Sequence, residues 1–263
     1  MSDVEFFALM SEVFHIMEVD LNMYSKFLEM KYKPEVGTTL IPNSPRPEWL
    51  PSTRVGQKNV ESIKWSLSIL QWIIFIRSCV ETDTWVALVK SKGGDEYSVN
   101  MYDICKYFVI PWTEGTGCSI AVLMNGESPK PADLMISHAW GGSVVETYNS
   151  LQYIVNHNNV PVDTHIFFCT LCMYQPEDGV DNGLSISEQL NLKPVANIID
   201  SQPKYGMVMR SIDDLPTYYI HTGKVMQRCT YSGQVSKKSS PSYIHTYIHT
   251  YIHTYIHTYI PSI

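Results

Sequence analysis

Ser137-His138-Ala139-Trp140-Gly141-Gly142 gathers residue types that do chemistry. His138 offers a proton carrier or a ligand nitrogen, and Trp140 a flat face for a planar ring. Gly141 and Gly142 let backbone approach a ligand closely, and a helix starting just after them would turn unpaired amides toward an anion such as a phosphate. Further along, Tyr174-Gln175-Pro176-Glu177-Asp178 adds an amide and two carboxylates able to bind ribose hydroxyls, and Glu188 stands at the start of another helix. Ser137, His138, Trp140, Gly141, Gly142, Gln175, Glu177 and Asp178 thus read as one nucleotide-binding set. Each has a plainer use. The glycines can shape a turn, Trp140 can fill the core, and His138 can be a satisfied loop histidine. Glu177 and Asp178 are ordinary turn residues, and Glu188 sits three residues after Ser185, the N3 place of a capping box.

The elements that must position these groups follow from periodicity. Leu134 to Ser137 is a short apolar strand. Ser143 and Glu146 have capping-box spacing and open a helix with an apolar stripe at Val144, Tyr148, Leu151 and Val155. The run from Thr164 to Leu171 is a nearly continuous apolar strand, so both its faces must be covered, as in a parallel sheet. Strand, helix and strand make a βαβ unit, and in such a sheet ligands bind outside the carboxyl ends of the strands, where both loops start. Ser185 opens a further helix, Pro194 divides it, and Tyr205 to Met209 is a third strand. Cys169-Thr170-Leu171-Cys172 falls inside the expected second strand, where the two thiols would point to opposite faces and serve only packing. No metal site is expected. Gly115-Thr116-Gly117 lacks the third glycine of a dinucleotide fingerprint, and no Walker A, G-x-S-x-G, H-E-x-x-H or kinase signature occurs.

Around this unit, residues 1–130 are expected to be mainly helical, with a Pro-rich linker at 34–51. Helices are expected over 2–33, over 59–80, over 83–90 in helical or extended form, and from a Ser98 cap to about Val109, where Pro111 ends it. Residues 131–210 form the α/β domain, and 211–263 is expected to be a disordered or aberrant tail. Within that tail, Tyr243 to Thr258 is four copies of Tyr-Ile-His-Thr, which a repeated TACA tetranucleotide encodes in full. A translated microsatellite is the parsimonious reading. The alternative is a metal-binding tract of His245, His249, His253 and His257. The chain carries 19 Lys and Arg against 26 Asp and Glu, a net charge of −7, which argues against general nucleic-acid or anionic-membrane binding. The most hydrophobic window, 65–76, is too short to span a bilayer, and no secretory signal is visible. Six cysteines without a framework pattern point to reduced thiols and an intracellular, cytoplasmic setting.

Leu-Met-Ile-Ser-His-Ala-Trp-Gly, an amphipathic helix, Ile-Phe-Phe-Cys-Thr-Leu, an acidic loop, Ile-Ser-Glu-Gln-Leu and Tyr-Gly-Met-Val-Met follow in an order that resembles a Toll/interleukin-1 receptor (TIR) domain. The match is nearer still to a group of SHAW-motif proteins of algae and other protists, and it covers about Ala132 to Met209. The resemblance implies a TIR/flavodoxin-like parallel sheet, truncated at its far end, that signals by self-association. It also implies that NAD is a substrate rather than a required cofactor. Ile136-Ser137 would match the first strand, and Glu188 the catalytic glutamate of an NAD nucleosidase, a carboxylate stabilising an oxocarbenium-like transition state. His138 and Trp140 depart from the usual TIR residues, and the later strands are replaced by the tail. The alternatives are a non-catalytic interaction module of the same fold, in which Glu188 only caps its helix, and a truncated, inactive product.

Overall fold

The computed structural model describes residues 41–51, 55–181 and 183–208, together with the backbone of 209–210, 217–222, 225–230 and 235–238. The expected helix over 2–33 and the Tyr-Ile-His-Thr copies lie outside the described residues. The architecture is α/β. Four short strands, β1 (Leu67–Ser68), β2 (Leu134–Ser137), β3 (His165–Phe168) and β4 (Met207–Arg210), lie in the order β1-β3-β2-β4. β2 runs parallel to β3, with Leu134 opposite Ile166 and Ile136 opposite Phe168, and parallel to β4, with Met135 opposite Met207. Every residue of β3 is buried, as a strand covered on both faces must be. After β2 the chain lays its next strand on one side and the following one on the other. The winding therefore reverses at the carboxyl ends of β2 and β4, where the 138–142 loop begins.

Beyond β4 the direction changes. β5 (Thr217–Thr222), β6 (Val225–Thr230) and β7 (Val235–Lys238) add antiparallel, one after another, giving a sheet of seven strands. The stretch beyond 210, expected to be a disordered or aberrant tail, thus includes three strands.

On the helical side, the run expected over 59–80 becomes two 3-10 turns, Gln57–Asn59 and Ser62–Lys64, then β1, then α1 (Ile69–Val80). The late start has a local cause. Ser68 and Gln71 form a reciprocal capping box, Ser68 Oγ accepting from the Gln71 N–H (3.0 Å) and Gln71 Oε1 from the Ser68 N–H (2.8 Å). β1 meanwhile pairs antiparallel with β3, Leu67 opposite Ile166. α2 (Asp83–Ser91) is capped by Thr82 and stops before Gly93 and Gly94, whose φ values of 75° and 85° suit glycine.

α3 (Met101–Ile104) is capped by Asn100 with Asp103, not by Ser98. Nor does Pro111 end the helical run. A π segment, Cys105–Val109, precedes α4 (Ile110–Thr113), so helix continues through the proline. Proline lacks the N–H that would bond the carbonyl of Tyr107, and the Ser44 N–H donates to that carbonyl instead (3.0 Å). This bond, buried Leu50 and the edge-on contact of Trp49 with Trp112 (6.4 Å) hold 41–51, the described part of the Pro-rich linker, against the body.

α5 (Ile120–Asn125) and α6 (Val144–Asn158) complete the cover. Val144 and Leu151 of the expected α6 stripe are buried, joined by Thr147, Ser150 and Ile154, while Tyr148 and Val155 pack at the margin. Asn159, at φ 53°, ends α6 in the left-handed region. Trp72 of α1, itself fully buried, lies against Tyr148 (6.3 Å between ring centres) and Phe168 (5.6 Å). One hydrophobic cluster runs from Leu50 to Val208, so residues on both sides of position 130 share a core. Among the described residues, no helix is long and apolar enough to cross a membrane.

Candidate functional site

The loop after β2 turns its two most reactive side chains toward its own chain. β3 ends at Phe168, and Cys169–Cys172 forms a single helical turn, α7. The expectation that Cys169 and Cys172 lie in a strand, on opposite faces, is therefore corrected. The Met173 N–H closes onto the Cys169 carbonyl (3.0 Å), and the Phe168 N–H donates to Cys172 Sγ (3.2 Å), so the backbone turns where the strand ends. In a helix, positions three apart lie on one face.

His138, 6% exposed, stacks its ring on Phe168 (3.9 Å between centres, 9° between planes) and places Nε2 3.2 Å from Thr170 Oγ1. Trp140 lies against Tyr102 (5.3 Å), and its indole N–H donates to Cys169 Sγ, which also bonds the Thr170 side chain. His138 and Trp140 thus grip adjacent residues of α7, and Thr170 joins the two contacts. Burial pushes the Cys169 thiol up to about 11 against these bonds, and burial lifts Cys172 as well.

The start of α6, where an anion was expected, is occupied. Ser143 Oγ accepts from the Glu146 N–H (3.3 Å), and the Val144 N–H donates to the Val99 carbonyl (2.9 Å). Asn100 bridges Ser143 in antiparallel fashion, and the Met101 N–H donates to the Trp140 carbonyl (2.9 Å). The segment entering α3 therefore lies across the first turn of α6 and fills part of what a phosphate would need. Gly142 closes a tight turn onto the Ala139 carbonyl (2.9 Å); a Cβ at exposed Gly141 would meet nothing within 4 Å. Ser137, half-buried, ends β2 opposite Met209.

The second loop is equally engaged. The Gln175 amide lies 3.3 to 3.4 Å from the carbonyls of Met173, Cys169 and Thr170, closing the end of α7. Asp178 Oδ2 accepts from the buried Tyr174 hydroxyl (2.5 Å) and from the Gly115 N–H (2.8 Å). Burial lifts the Asp178 carboxyl, but the bonds from Tyr174, Gly115 and Val180 outweigh it and hold it below its ordinary value. The Tyr174 phenol is pushed up by burial and by Asp178.

Glu177 Oε1 accepts from the Ile186 N–H (3.4 Å) at the start of α8 (Ile186–Asn191). There Glu188 Oε2 accepts from both the N–H and the hydroxyl of Ser185 (2.8 Å each), and Ser185 Oγ accepts from the Glu188 N–H (3.2 Å). These bonds hold the fully exposed Glu188 carboxyl below its ordinary value. α9 (Pro194–Asp200) begins at Pro194, as the sequence suggests.

Two residues carry more of this site than their sequence signal indicates. Gln189, with no exposed surface, accepts from the Tyr174 N–H (2.8 Å) and donates to the carbonyls of Tyr174 (2.8 Å) and Leu184 (3.0 Å). Gln57, equally buried, donates to the Cys172 carbonyl (2.9 Å) and accepts from the Ser119 N–H (2.9 Å). Gln189 is masked in the sequence by the capping box beside it, and Gln57 has no pattern at all. The structure therefore gathers His138 and Trp140 at the start of α7 and Gln175 at its end, while Glu177 bonds Ile186 and Glu188 bonds Ser185 at the start of α8.

A cleft of about 470 Å³ lies between the 57–64 turns and α8–α9; Lys58, Glu61, Ser62, Leu192 and Asn197 are among its lining residues, and none of the expected nucleotide-binding residues is. Among the described residues no group of three or more His, Cys, Asp or Glu could hold a metal ion. No protein-family model matches the chain, and no curated protein or solved structure is detectably similar to it.

Proposed function

We propose that the chain is a TIR-like, flavodoxin-like signalling module that works inside the cell by associating with further copies of itself, without cleaving NAD. The observation that carries this reading is the reciprocal Ser185–Glu188 box. The one carboxylate expected to act on a nicotinamide ribose is spent on its own helix terminus, exposed to water, where its field is strongly screened. The order of the three parallel strands, β3-β2-β4, supports the flavodoxin-like assignment, since it matches the start of such sheets. Half-exposed Leu192, at the rim of the 470 Å³ cleft, supplies apolar surface for self-association. The net charge of −7 argues against nucleic acid as partner.

A second reading, NAD hydrolysis through Glu188, draws on one fact: that carboxylate is accessible and held in its charged form. Incubation of the purified chain with NAD separates the two, run at concentrations where sedimentation shows association. The first reading expects no nicotinamide release above the blank from wild type or Glu188→Ala. Release by wild type that is lost in Glu188→Ala would overturn it in favour of the second, and a strictly monomeric chain at all concentrations would remove self-association.

A further inference from the structure

We propose that Cys169 and Cys172 are an oxidisable dithiol whose disulfide moves the Cys169 sulfur away from Trp140, so that the 138–142 loop responds to thiol redox state. Helical geometry places Cα atoms three residues apart at about 5 Å, from the rise of about 1.5 Å per residue and radius of about 2.3 Å. That lies inside the 4.4–6.8 Å span of natural disulfides. Both sulfurs sit toward the N-terminal end of α7. Cys172 Sγ reaches back to accept the Phe168 N–H (3.2 Å), and Cys169, the first residue of the turn, is held by Trp140 and Thr170. Cys169 is the half-buried partner and Cys172 the buried one, the usual division between an attacking and a resolving thiol. Both cysteines are free, and the indole that covers Cys169 belongs to the half-buried Trp140.

The oxidant is a low-molecular-weight disulfide of the glutathione class. The Cys169 thiolate attacks one sulfur of that disulfide, the S–S electron pair leaves on the departing thiol, and a mixed disulfide forms on Cys169. The Cys172 thiolate then attacks the Cys169 sulfur and expels the second small thiol. The protein gives up two protons and two electrons, and one small disulfide becomes two thiols. Because burial holds both thiols mostly protonated, the reaction on the folded chain is slow at neutral pH and speeds up about tenfold for each unit of rising pH until Cys169 titrates.

The test is peptide mapping of the full chain after excess oxidised glutathione, with free thiols then alkylated. The expected product is a disulfide joining Cys169 to Cys172, with the Trp140 indole N–H resonance shifted, and with Cys172→Ser stopping as a stable glutathione adduct on Cys169. Trp140→Phe, which removes the indole donor from Cys169, should leave the Cys169–Cys172 disulfide still formed. A disulfide from Cys169 to Cys105, which lies close enough to interact with it electrostatically, would overturn the proposal. So would finding both thiols still free on wild type after prolonged treatment at raised pH, or an indole resonance that does not move when the disulfide forms.

Discussion

His138 and Thr170 form the contact that ties the loop after β2 to α7, and a double-mutant cycle measures it. His138→Phe keeps an aromatic ring on Phe168 but removes the nitrogen 3.2 Å from Thr170 Oγ1. Thr170→Val keeps the shape and removes the hydroxyl from a side chain with no exposed surface. Each single change strips one partner from a buried polar group, which costs about 1–3 kcal/mol; Thr170 keeps its bond to Cys169, so the lower part of that range applies to His138→Phe. The double variant has neither polar group to leave unpaired, so its loss should fall short of the summed single losses by about 1 kcal/mol. His138→Ala, which also deletes the stacked ring, should cost about 3 kcal/mol. Urea unfolding followed by tryptophan fluorescence gives all four stabilities. Additivity within about 0.3 kcal/mol would mean that His138 and Thr170 do not interact, and the inward-facing reading of the motif would fail with it.

Gln189→Leu leaves the N–H and carbonyl of buried Tyr174 without their side-chain partners and should destabilise the chain by about 3 kcal/mol; a loss under about 1 kcal/mol in the same urea assay would show that the bridge is incidental. His165, whose Nδ1 lies 3.0 Å from Ser66 Oγ, is held below the ordinary histidine range by burial and then by Lys130. The unfolded chain therefore takes up this proton first, so stability is full above about pH 6.5 and falls as pH drops toward the folded value. Urea midpoints measured across that window should decline in wild type more steeply than in His165→Gln, and equal slopes would refute the assignment.

What could be read from the residues followed the strength of the local signal. The apolar runs of β2 and β3, the α6 stripe and the Ser185 and Pro194 boundaries were legible, because each is decided by neighbours within one or two turns. β1 was not, since two residues carry no alternation and Trp65 to Val80 looks uniformly helical. α7 was not either, because Cys-Thr-Leu-Cys is as apolar as the strand before it; the change is marked by the Met173 N–H on the Cys169 carbonyl and the Phe168 N–H on Cys172 Sγ, which residue types do not announce. β5 to β7 follow a fading pattern in which Thr, Tyr, His and Arg mix without a clear apolar face. At the site, the residue types and their loops could be named in advance. Their orientation could not, because nothing near His138 or Trp140 in the chain says that Thr170 and Cys169 lie beside them, or that Val99 lies across the start of α6.

Amide hydrogen exchange over 99–101 and 138–147, with and without saturating NAD, tests most directly whether this motif serves the chain's own architecture rather than a nucleotide. With the Val144 N–H held by Val99 and the Met101 N–H by Trp140, these amides should be protected in the free protein and unchanged by NAD. Fast exchange in the free protein, with protection appearing at 141–146 only when NAD is added, would contradict the account and return the loop to the role of a nucleotide site.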